Sequence, residues 1–147
     1  MRAVVTRVKS ASVSVDGQTV GQIGQGFLVL LGVHNTDTEA EAVKIADKIC
    51  GLRVFTDEND KMNLNLGAVG GELLIISQFT LFADCKSRRP SFIAAARPDT
   101  AIPLYEKVME ECRSRGFRVE HGEFGAHMMV ESVNNGPVTI LLDTNEL

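Results

Sequence analysis

Two periodicities, and the order in which they follow one another, constrain this chain more than any other feature. Near the N-terminal end apolar and polar residues alternate, as in Ser12-Val13-Ser14-Val15, the period of a strand with one buried face. Asp16-Gly17 is a two-residue hairpin signal, so residues 2–8 and 11–15 read as strand and residues 18–23 as the returning partner. Gly21, Gly24 and Gly26 imitate a phosphate loop only superficially. Their order is wrong, and an apolar strand, Phe27–Val33, follows them instead of a helix. The period then lengthens. Thr36 and Glu39 have the spacing of a capping box, and Ala42, Ile45, Ala46, Ile49 and Cys50 fall on one helical face down to about Leu52.

The unbroken run Leu73–Ile76 has the pattern of a strand buried on both faces. A second helix is expected from Asp99 or Thr100, with Pro103 in its first turn, Tyr105, Val108, Met109 and Cys112 as its apolar stripe, and Gly116 as its stop. Strands resume near 127–134 and 138–143. Strands at both ends, two main helices between them and no regular βαβ alternation predict an α+β fold. Its sheet should be largely antiparallel and barrel-like, in one domain spanning residues 1–147.

Composition excludes several roles. No apolar stretch approaches the length needed to span a bilayer, and MRAVVTRVKS has no signal-type apolar core, so a cytoplasmic protein without a membrane partner is expected. Cys50, Cys85 and Cys112 are odd in number and widely spaced, which suits free thiols in a reducing compartment rather than a disulfide framework or a zinc site. Asp57, Asn59 and Lys61 sit at calcium-loop spacing, but Met62 stands where such a loop needs glycine and no acidic closure follows. No metal and no cofactor are expected. The net charge of −4 argues against a protein that grips long stretches of nucleic acid, DNA included. Any RNA contact must be small and local, and Lys86-Ser87-Arg88-Arg89 is the best candidate for it.

Two polar segments are placed to carry chemistry. Ser77-Gln78-Phe79-Thr80-Leu81 lies where the buried run emerges, and Asn134-Asn135-Gly136-Pro137-Val138-Thr139 joins the two last strands. By local chemistry alone the first is a strand end capped by Ser and Thr. The second, by the same standard, is a hairpin turn. Together with Arg7, Ala11-Ser12-Val13, Arg89-Pro90-Ser91-Phe92 and Phe124-Gly125-Ala126-x-Met128, they resemble the D-aminoacyl-tRNA deacylase family, in the family's order and over essentially the whole length.

That resemblance implies an editing hydrolase acting on the 3′ end of aminoacyl-tRNA. It also implies a homodimer in which a cis Gly136-Pro137 peptide reaches into the partner's site, held in orientation by Arg7. Alternation of Ala3, Val5 and Arg7 suits a guanidinium among apolar neighbours bonding to carbonyls; without the resemblance, Arg7 reads as an ordinary surface arginine. A rigid backbone wall where an L side chain would project rejects L-amino acids by collision, whereas a loose apolar pocket discriminates only about 10- to 200-fold. Glycine has nothing to collide, so hydrolysis of glycine mischarged on tRNA is expected beside that of D-aminoacyl-tRNA.

Thr80 is the one tempting nucleophile, but a hydroxyl needs an adjacent base, and Ser77, Gln78 and Phe79 supply none. His34, His121 and His127 lie elsewhere, and His127 occupies a position that is usually acidic in the family. The expected mechanism is therefore an oxyanion hole from the backbone N–H groups of Phe79 and Thr80, typically worth a few kcal/mol per donor, assisted by the 2′-hydroxyl of the tRNA. Ser77 and Gln78 would position substrate and Met128 would line the pocket. Asn135 replaces a common aspartate and keeps a turn-forming side chain, and Cys85 beside Lys86 reads as incidental. A Thr80-driven esterase and a non-catalytic binder of acylated tRNA ends are the alternatives.

Overall fold

In the computed structural model, which describes residues 1–147, the long first strand organises everything else. Strand β1 (Arg2–Val15) is paired along both edges. On one edge its first half takes β3 (Gly26–Gly32) and its second half takes β2 (Gln18–Ile23), both antiparallel. Asp16 and Gly17, at φ 50° and 78°, make the two-residue turn into β2 that their sequence signals. The other edge of β1 carries β8 (Met129–Asp143), antiparallel in both of its halves.

Residues 2–8 and 11–15 are thus one strand rather than two. A register shift at Val8/Ser10 exchanges its phase, so Val8, Ala11 and Val13 face one core cluster while Ala3 and Val5 face the other. The C-terminal end departs from the sequence reading more sharply. Residues 127–134 and 138–143 do not form two strands around a hairpin, because both halves of β8 run along β1 in the same direction. The wide gap in the pairing lies between Thr6–Thr139 and Val8–Asn134, where residues 135–138 leave the ladder.

Past β3 the sheet turns parallel. The run Leu73–Ile76 lies in β6 (Glu72–Ser77), which pairs parallel to β3 on one side and to β7 (Val119–His121) on the other. Leu73 and Ile75 face the helices while Leu74 and Ile76 face the second cluster, so both faces are buried, as continuous apolar runs predict. The mixed sheet curls until β2 and β7 meet. A Cβ on Gly21 would stand 2.6 Å from the His121 carbonyl oxygen, so only glycine allows this close approach. The barrel-like expectation holds.

Both helices cover one face of the sheet. Helix α1 (Glu39–Gly51) buries the five residues of its predicted stripe. Its capping box is Thr38/Glu41 rather than Thr36/Glu39, because Thr36 is engaged with His34 Nδ1 in the preceding turn, where Asp37 also accepts the His34 N–H. Helix α2 (Pro98–Ser114) starts slightly before the expected point. Pro98 takes the first helical position, which leaves Pro103 in the second turn. Buried Tyr105 donates to the Ile75 carbonyl at 2.6 Å, so its hydroxyl is satisfied inside the core. Cys50 and Cys112 meet where the helices pack, with Sγ atoms 3.7 Å apart, and all three thiols are free. Short strands β4 (Phe55–Thr56) and β5 (Met62–Leu64) flank the polar loop, in which the Asp57 carboxylate accepts the N–H groups of Asn59 and Lys61. No helix is long and apolar enough to cross a membrane.

Candidate active site

The first motif is placed by the end of β6. Backbone pairing continues one residue past the strand, where Gln78 donates to the Leu31 carbonyl at 2.8 Å. The chain then tightens into a short helical turn over Phe79–Phe82. Phe79 and Thr80 occupy the first positions of that turn, whose N–H groups have no carbonyl within the turn to bond. This is the backbone geometry from which anion-binding donors are built.

Ser77, Gln78 and Phe79 form one wall of an open cavity of about 300 Å³, and residues 124–128 form the facing wall. The fold thereby brings together four of the residues singled out in the sequence: Ser77, Gln78, Phe79 and Met128. Phe124, Gly125 and Ala126 join them; they belong to the family pattern but carry no polar group that would mark them as site residues. His127 also lines the cavity, although its place in sequence argues for an incidental residue. Only folding the 122–128 loop back over β6 could reveal this.

Thr80 stands beside the cavity with an exposed side chain. Its hydroxyl oxygen accepts a hydrogen bond from Gln78 Nε2 at 2.6 Å. An amide N–H cannot take a proton, and no carboxylate or imidazole is hydrogen-bonded to the Thr80 hydroxyl. Phe79 exposes 54% of its surface and is braced edge-on by Phe92, with ring centroids 5.1 Å apart. No group of three or more His, Cys, Asp or Glu residues is arranged to hold a metal.

The second motif is built around Arg7. At the gap in the β1–β8 pairing its guanidinium is buried. Nε donates to the Asn135 carbonyl at 2.8 Å and Nη1 to the Val54 carbonyl at 2.6 Å. The sequence reading of Arg7 as a buried guanidinium bonded to carbonyls is therefore what the fold contains. Val54 as the second anchor has no sequence signal, because its backbone alone takes part. The Gly136-Pro137 peptide is cis, and both residues are exposed. A Cβ on Gly136 would lie 2.6 Å from the Val138 nitrogen and 3.2 Å from Arg7 Nη2. Gly136 and Pro137 do not line the cavity of their own chain.

A family profile described as D-Tyr-tRNA(Tyr) deacylase matches residues 4–143. The chain is 56% identical over 147 residues to a D-aminoacyl-tRNA deacylase of Clostridioides difficile (strain 630), covering 99% of each. It is 55% identical to the D-aminoacyl-tRNA deacylase of Thermosipho africanus (strain TCF52B), covering 100% of this chain and 99% of that one. Among solved structures it resembles one titled c-Myc DNA Unwinding Element Binding Protein, with a TM-score of 0.92 and 40% identity over 97% of this chain and 98% of that chain. A probable eukaryotic D-amino acid tRNA deacylase shares the fold at a TM-score of 0.83 and 18% identity, over 96% and 97% of the two chains.

Proposed function

This chain belongs to the D-Tyr-tRNA(Tyr) deacylase family, and from that premise we propose that it is a hydrolase that edits D-aminoacyl-tRNA and glycine mischarged on tRNA in the cytoplasm. It works as a homodimer, each subunit lending Gly136 and Pro137 to the cavity of the other. The observation that carries this reading is the bond from buried Arg7 to the Asn135 carbonyl. It ties an exposed backbone segment to the core at the gap in the β1–β8 pairing, while Gly136 and Pro137 stay outside the cavity of their own chain.

Substrate enters as the ester at the 3′-terminal ribose, with Ser77 and Gln78 positioning it and Met128 lining its pocket. Main-chain oxygens of the partner's motif stand where an L side chain would project. They meet only hydrogen in a D-amino acid or glycine. Water adds to the ester carbonyl, and the oxygen that gains charge is received by the N–H groups of Phe79 and Thr80. The ester bond to the ribose oxygen breaks as that oxygen takes a proton, relayed by the vicinal 2′-hydroxyl. Thr80 does not attack the ester and is not acylated, because its hydroxyl is bonded to an amide donor and to no base that could take its proton. No cofactor takes part.

Hydrolysis of D-Tyr-tRNA, L-Tyr-tRNA and Gly-tRNA by purified protein tests this directly. Release of D-tyrosine and glycine, with L-tyrosine retained, is expected. Thr80→Ala should keep most of the activity, and tRNA ending in 2′-deoxyadenosine should lose it; the opposite pair of results would establish a threonine esterase. The shared site has its own test. A Gly136→Val variant and a Ser77→Trp variant with a blocked cavity should each be inactive, and activity should return when they are mixed. Confirmed heterodimers without activity would place each site within one chain.

A further inference from the structure

We propose that the hairpin at residues 84–91 is the docking element for the backbone of the substrate RNA, with Arg88 and Arg89 as its phosphate-binding side chains. The inference rests on the deacylase reading for the identity of the RNA, and on observations of its own for the site. Over residues 73–98 the chain has four basic side chains, Lys86, Arg88, Arg89 and Arg97, and one acidic, Asp84, within a protein of net charge −4. The local sign is therefore opposite to that of the whole molecule.

The hairpin is also shaped to present this charge. Asp84 and Ser91 exchange backbone hydrogen bonds at 2.8 and 2.9 Å. The Asp84 carboxylate accepts the Lys86 N–H at 3.0 Å, and the Ser87 hydroxyl donates to the Arg89 carbonyl at 2.7 Å. The one carboxylate of the segment is thus engaged in the turn itself, with Lys86 Nζ only at 3.9 Å. Arg88 and Arg89 are exposed and enter no ion pair, whereas Arg2, Arg115 and Arg118 are each matched by a carboxylate. Unpaired, outward guanidinium groups on a braced turn suit the bidentate geometry of phosphate oxygens.

Position supplies the rest. The hairpin leaves directly from the turn that holds Phe79 and Thr80, and Phe92, the residue after Ser91, packs edge-on against Phe79. The hairpin therefore adjoins the Phe79 side of the cavity, where RNA leaving on that side meets it. Three cations are a small patch, and a small patch is what an acidic protein can use without gripping unrelated nucleic acid.

Arg88→Ala/Arg89→Ala, assayed on D-Tyr-tRNA and on D-tyrosyl-adenosine, tests the proposal. KM for the tRNA should rise on the order of tenfold with kcat unchanged, and log KM should depend less steeply on log salt by about one to two. Turnover of the adenosine ester, which ends before the hairpin, should not change, and Arg88→Lys/Arg89→Lys should recover much of the loss. Equal losses on both substrates, or an unaltered salt slope, would overturn the assignment. If the unmodified protein cleaves neither ester, the deacylase reading fails by itself. Binding of uncharged tRNA then decides the hairpin: weaker binding by the double alanine variant supports it, and equal binding removes it.

Discussion

Arg7 does at the level of one residue what a salt bridge usually does with two. Its charge is buried without a carboxylate partner and is satisfied by the carbonyls of Asn135 and Val54, which belong to segments far apart in sequence. Lysine at this position would donate from a single nitrogen and could not span the two carbonyls that Arg7 reaches from Nε and Nη1. Arg7→Lys should therefore fold, lose roughly 1–3 kcal/mol of stability through the carbonyl left unpaired, and lose deacylase activity by at least about tenfold, because the Gly136-Pro137 segment is no longer held. Circular dichroism melts and D-Tyr-tRNA assays on the same preparation separate the two effects. Full activity in a clearly destabilised Arg7→Lys protein would detach Arg7 from the motif. The cysteines behave differently: Cys85 is exposed while Cys50 and Cys112 are buried against each other. One thiol should react quickly with a disulfide reagent in the native protein, and the other two only on unfolding.

At the scale of elements, the parallel β3–β6–β7 seam carries one wall of the candidate site, and two features fix that seam. A Cβ on Gly26 would fall 1.8 Å from the Glu72 carbonyl oxygen, closer than any side chain can be accommodated. Gly26→Ala should thus cost roughly 2–4 kcal/mol, read as a fall in the urea midpoint. A melt like that of the unmodified protein would mean that β3 and β6 can separate freely. Glu72 is the second feature. Its carboxylate binds Arg118 at 2.7 Å and the Gly24 N–H at 2.8 Å, and the bond from Arg118, then that from Gly24, hold its pKa below the usual carboxylate value of 4.5. A pKa depressed by folding adds stability that is complete above the unfolded-state value and disappears as pH falls through the folded one. Since the pair is partly exposed, about 1 kcal/mol is involved at most. As pH falls below the unfolded-state value, Glu72→Gln should lose stability less steeply than the unmodified chain, from a lower starting value at pH 7.

For the molecule as a whole, β8 is the exposed edge of an otherwise covered sheet. It shows solvent Met129, Val133 and Leu141, at 63, 55 and 79% exposure. A strand of 15 residues with such an edge invites pairing, in keeping with a motif on β8 that works in a second subunit. Sedimentation velocity should find a particle of two 16.0 kDa chains. Leu141→Glu should shift it toward one, with activity on D-Tyr-tRNA falling in step. A fully active monomer would end the shared-site reading.

Sequence alone determined the elements whose signals are local. Period 2 and the Asp16-Gly17 turn give the hairpin of residues 11–23, though not the joining of 2–8 and 11–15 into one strand; the apolar stripes give the buried faces of α1 and α2; the unbroken run at 73–76 gives a strand covered on both sides. These patterns are legible because each residue's environment follows from neighbours within a turn or a pleat. The capping box slipped by two residues because Thr36 found a competing partner in His34, a contest between nearly equal local bonds. What the tertiary structure alone decided depends on residues distant in the chain. Residues 129–143 are one strand with an excursion, because β1 supplies a continuous partner on both sides of it. Arg7 became an anchor when Val54 and Asn135 were carried to it, and His127 reached the cavity when its loop closed over β6. A carbonyl has the same chemistry at every position in a sequence, so only the fold could say which two of them Arg7 would hold.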